Sequence, residues 1–75
     1  MNTSKAFLMI IDRHELGVGL PTEIIGVYWE RENGGACFRI KFLSGLEKSV
    51  PVEGKNYILL SEDDVRAGRI PEVFD

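Results

Sequence analysis

The stretch from residue 23 to 44, EIIGVYWERENGGACFRIKFLS, constrains this chain more than any other. Two segments of alternating apolar and polar side chains flank Asn33-Gly34-Gly35, residues that tolerate the positive φ of a tight hairpin turn. A two-residue turn on Asn33-Gly34 places Trp29 opposite Phe38, Val27 opposite Ile40 and Ile25 opposite Phe42, all on one face. The other face then carries Tyr28 opposite Arg39, Gly26 opposite Lys41 and Glu30 opposite Cys37. A turn on Gly34-Gly35 slides the pairing but keeps the character of each face, with Glu30 meeting Arg39 and Tyr28 meeting Lys41. In either register the apolar face is expected to lie on a core. Trp29 is its largest member, so Trp29→Ala is expected to cost about 3–5 kcal/mol.

The flanking sequence adds three strands and a helical turn. Residues 5–13 read as a first strand that is apolar on both faces, with Phe7, Met9 and Ile11 on one and Ala6, Leu8 and Ile10 on the other. It is expected to be covered on both sides, and the absence of a small-residue cleavage site favours a strand over a signal peptide. Residues 14–22 read as a loop, relaxed by Gly17 and Gly19 and closed to pairing by Pro21. Residues 46–52 form a fourth strand, placed at an edge by Pro51, and 57–60 a short fifth. Ser61 followed by Glu62, Asp63 and Asp64 is the grammar of a helix start, and Gly68 ends that helix within one or two turns.

A chain of 75 residues with 44% hydrophobic and 28% charged side chains reads as one ordinary globular domain over residues 1–75. The expected fold is mainly all-β: a small five-stranded antiparallel barrel or roll of the SH3-like class, with one short C-terminal helical turn. No apolar run approaches the length needed to span a bilayer, so no membrane partner is expected. The single cysteine, Cys37, excludes an internal disulfide or a cysteine-based zinc site, and suggests the cytoplasm. On the outer face of the hairpin it would be open to an intermolecular disulfide. A small residue filling a strand position explains it more simply.

One short segment resembles a known family. Ile25-Gly26-Val27-Tyr28-Trp29, followed by a turn and a second strand, is similar to the plasmid-borne type II dihydrofolate reductases, SH3-like subunits of comparable length. That family binds substrate through a Val-Gln-Ile-Tyr motif, and the corresponding region here reads Ser49-Val50-Pro51-Val52. The resemblance therefore carries a strand pattern and not the activity.

Charge narrows the function classes. Acidic and basic residues cancel over residues 1–60, and the net charge of −3 falls on Glu62, Asp63, Asp64, Glu72 and Asp75 against Arg66 and Arg69. A phosphate-binding chain usually shows the opposite sign. No cofactor, metal set or catalytic constellation is readable. His14 is the only histidine, and the cluster Asp12-Arg13-His14-Glu15 reads as solvated charge at a strand exit. Gly17-Val18-Gly19 lacks the remaining parts of a phosphate loop.

The leading expectation is a non-catalytic binding module acting through a protein partner or its own copies. Tyr28, Arg39 and Lys41 on the outer sheet face are its candidate binding residues, and Ile70, Val73 and Phe74 its candidate self-association contact. Nucleic-acid binding by the same Tyr28, Arg39 and Lys41 face is the alternative. An enzyme whose site is shared between subunits is third.

Overall fold

β-branched and aromatic residues concentrate in the segments that pair, and Pro21, Gly35 and Pro51 stand at ends of such segments. The computed structural model describes residues 5–32 and 34–72. In chain order come β1 (Ala6–Ile10), β2 (Pro21–Glu30), β3 (Gly35–Lys41), β4 (Glu47–Pro51), β5 (Tyr57–Ser61) and α1 (Glu62–Arg66). The strands form one antiparallel sheet in the order β4-β3-β2-β1-β5.

This sheet curls without closing. Its core joins Leu8 and Ile10 of β1 to Ile40 of β3 and Val50 of β4, with Val18, Ile24, Phe38, Phe42 and Tyr57 packed around them. Tyr57, on the strand at one end of the sheet, meets the Phe38 ring edge-on with centroids 5.4 Å apart. Its hydroxyl donates to the Val52 carbonyl at 2.7 Å, just beyond β4 at the other end. Those contacts bend the two ends toward each other, while β4 and β5 share no ladder. The expectation of five antiparallel strands and a short helix holds; barrel closure does not.

The hairpin differs from both expected registers. Glu30 pairs with Gly35, Trp29 with Ala36, Tyr28 with Cys37 and Val27 with Phe38. Residues 31–34 therefore make a four-residue connection, and Gly34 takes a φ of +63°. Alternation is further broken at Ile25, where a bulge makes Ile24, not Ile25, the partner of Ile40. Val27 and Trp29 do share a sheet face with Phe38, yet Trp29 is 65% exposed. The cause is length: β1 pairs with β2 only from Pro21 to Glu23, so the distal half of β2 runs past the elements that cover the core. Trp29 is not a core residue, and the large cost expected for its truncation falls away.

Two further expectations, at Pro21 and at the end of β1, are corrected. Pro21 does not stop pairing but lies opposite Met9, and β2 begins there. Cys37 is buried, flanked across the ladders by Tyr28 and Pro51, in keeping with a small residue filling a strand position rather than with an exposed thiol. β1 ends at Ile10, before the turn at residues 13–17. Double-sided burial of β1 does hold, since Leu8 and Met9 on opposite faces are both inaccessible to solvent and α1 packs against β1 and β5. Thr22 opposite Leu8 is also buried, and its hydroxyl donates to the Leu8 carbonyl at 2.8 Å.

Helix α1 follows its sequence grammar. The Ser61 hydroxyl accepts from the Asp64 amide at 3.1 Å, three acids fill the first turn, and Gly68 follows the C-terminus with a φ of +71°. The Asp64 carboxylate takes the Arg69 guanidinium at 2.9 Å. That hydrogen bond, with help from Ser61, holds its pKa below the usual carboxylate value.

Candidate functional site

Tyr28, Arg39 and Lys41 occupy neighbouring rungs of one sheet face. The Arg39 guanidinium sits 5.8 Å from the centroid of the Tyr28 ring. Arg39 also donates to Glu47 at 2.6 Å, and chiefly through that bond its pKa is raised above the ordinary arginine value. The Tyr28 hydroxyl bonds the Ser49 hydroxyl. Lys41 lies between Glu23 on β2 and Glu47 on β4, directly opposite both. Two cations thus share the face with two carboxylates, and the aromatic is held by its own neighbours. Such a face suits a solvated sheet cover better than a phosphate track.

The polar cluster at residues 12–15 is consumed by local structure. The Asp12 carboxylate accepts from the His14 amide at 2.9 Å, and the Glu15 amide donates to the Asp12 carbonyl at 3.0 Å. Glu15 meets Lys48 of β4 at 2.7 Å, and the same ammonium reaches the Leu16 carbonyl at 3.2 Å. Among the described residues no group of three or more His, Cys, Asp or Glu side chains gathers to hold a metal.

That anchoring shapes a surface the sequence reading missed. The β1–β2 connection crosses the sheet and is fixed at several points: Val18 bridges Ile10, and the Gly19 amide donates to the Ile10 carbonyl at 2.9 Å. Gly17, with a φ of +88°, lies so close to the Phe42 ring that a Cβ there would stand 2.5 Å from Cε1. Glycine is required at this position by conformation and by space together. Facing this connection, the β3–β4 turn is closed by the Phe42 amide on Leu46 at 2.8 Å and the Gly45 amide on Phe42 at 2.9 Å. Between them opens a groove of about 450 Å³ lined by Leu16, Leu20, Phe42, Leu43 and Leu46, with Thr22 and Ser44 as its polar members. All four leucines are more than half exposed. Leucines scattered among turn residues give no periodic signal, and only the fold shows that two loops bring them together.

A second apolar exposure lies at the hairpin tip, where Val27 and Trp29 stand on β2 beyond the reach of β1. Of the expected self-association contact, Ile70 is half-buried, and Val73 and Phe74 lie outside the described residues. Among the described residues no helix is long and apolar enough to cross a membrane. No family model, no curated protein and no solved structure matches this chain.

Proposed function

We propose that this chain is a non-catalytic binding module that receives an apolar segment of a protein partner in the groove between the β1–β2 connection and the β3–β4 turn. Four exposed leucines around a half-buried Phe42 carry this reading, because exposed apolar surface gathered in one concavity marks a contact site. The walls support it further. Lys48, Gly17 and the paired turn amides hold both loops before any partner arrives, which lowers the ordering cost of binding. The strand order, with a long β2 bent at its bulge and the sheet curled over one core, favours an SH3-like roll as the scaffold class. The nucleic-acid alternative on Tyr28, Arg39 and Lys41 has less support, since Glu23 and Glu47 neutralise that face.

The reading is tested by methyl NMR of the full chain titrated with a leucine-rich amphipathic peptide as an apolar probe. Shifts concentrated on Leu16, Leu20, Leu43 and Leu46, and abolished by Leu43→Glu, support it. Shifts at Val27 or spread over the surface, or an unchanged response in Leu43→Glu, contradict it. The nucleic-acid reading instead requires binding of single-stranded oligonucleotide that falls steeply with salt and is lost when Arg39 and Lys41 are changed together.

A further inference from the structure

The two edges of the sheet are built differently. β4 presents Glu47 and Lys48 and ends at Pro51, features that discourage a further strand. β5, Tyr57-Ile58-Leu59-Leu60-Ser61, has no charge, no proline and an unbroken register on β1. Leu59 is 59% exposed although Leu8, directly opposite, is inaccessible to solvent.

The hydrogen-bond phase of this edge can be worked out. The Ile11 amide donates to the Asn56 carbonyl at 2.9 Å, in line with the β1–β5 register. Antiparallel bonds alternate, so Met9 with Ile58 and Phe7 with Leu60 are the bonded pairs. The amides and carbonyls of Tyr57 and Leu59 therefore point to the open side.

We propose that two copies of this chain pair through β5, antiparallel about a two-fold axis at Leu59. That register alone matches all five residues: Leu59 faces its own copy, Ile58 faces Leu60, and Tyr57 faces Ser61. The outward amide and carbonyl of Leu59 are satisfied reciprocally, and apolar side chains meet on both faces of the joined sheet. The pairing extends the protein-contact reading to a second surface and uses none of the groove residues.

Light scattering of the full chain across a hundredfold concentration range tests it. The mass should rise toward twice the monomer value. Leu59→Lys and Leu59→Glu should each remain monomeric alone, by like-charge repulsion at the axis, and an equimolar mixture of the two should recover the dimer. Circular dichroism checks that both variants fold. Leu43→Glu should leave the mass unchanged, which separates this surface from the groove. A monomer at every concentration, or a dimer indifferent to charge at Leu59, overturns the proposal.

Discussion

The two halves of the β2–β3 hairpin carry the same alternation and end in different environments. At the base, Ile24 faces Ile40, and the face they share closes on Leu8, Ile10 and Val50. At the tip, Val27 faces Phe38 and Trp29 faces Ala36 on that same side, but Val27 and Trp29 stand largely in solvent. The difference lies in what reaches over each half. β1 and the connection through Gly17–Gly19 cover the base, whereas β1 pairs no further along β2 than Glu23. Periodicity states which side of a sheet a residue takes; burial depends on where the neighbouring strand ends.

Substitutions at the base and the tip should separate accordingly. Ile40→Ala, at the centre of the core, should destabilise by about 2–5 kcal/mol in denaturant unfolding. A loss below about 1 kcal/mol would erase the contrast. Gly17→Ala forces a Cβ against Phe42 in a conformation that alone costs about 1–3 kcal/mol, so it should also loosen the cover over the base. Thr22→Val keeps the shape but removes the bond to Leu8, for an expected loss of about 1–2 kcal/mol. Trp29→Ala should cost less than about 1 kcal/mol, the reverse of what its size and alternation suggest. On the opposite face, Arg39→Gln removes an exposed pair and should leave the unfolding midpoint nearly unchanged, with less effect still at high salt.

How much of this was legible follows from which interactions are local. The five strands in their chain order, the Ser61 cap, the Gly68 stop and the edge position of Pro51 follow from neighbouring residues, and all are found in the fold. The hairpin connection is not fixed by Asn33-Gly34-Gly35, which permits several turn lengths; Trp29 lies opposite Ala36, two residues from its partner under an Asn33-Gly34 turn and four from its partner under a Gly34-Gly35 turn. The bulge at Ile25 could not be read from alternation, since Ile24 and Ile25 are interchangeable in pattern and only the partner strand selects between them. Cys37 keeps the face that alternation gives it, and its burial there between Tyr28 and Pro51 depends on the partner strands.

The groove depended on still longer-range information. Leu16 and Leu43 lie far apart in the chain, and their convergence needs the Lys48–Glu15 bond and the fit of Gly17 onto Phe42. The Tyr28, Arg39 and Lys41 juxtaposition was readable, since neighbouring rungs follow from alternation. Its neutralisation by Glu23 and Glu47 required the register.

Because Trp29 is the only tryptophan, intrinsic fluorescence tests the division between base and tip most directly. At a concentration where the chain is monomeric, the native protein should emit like a water-exposed indole, be quenched efficiently by acrylamide, and shift little on unfolding. A blue-shifted native emission, protected from acrylamide and moving strongly to the red on denaturation, would place Trp29 in the core and contradict the account.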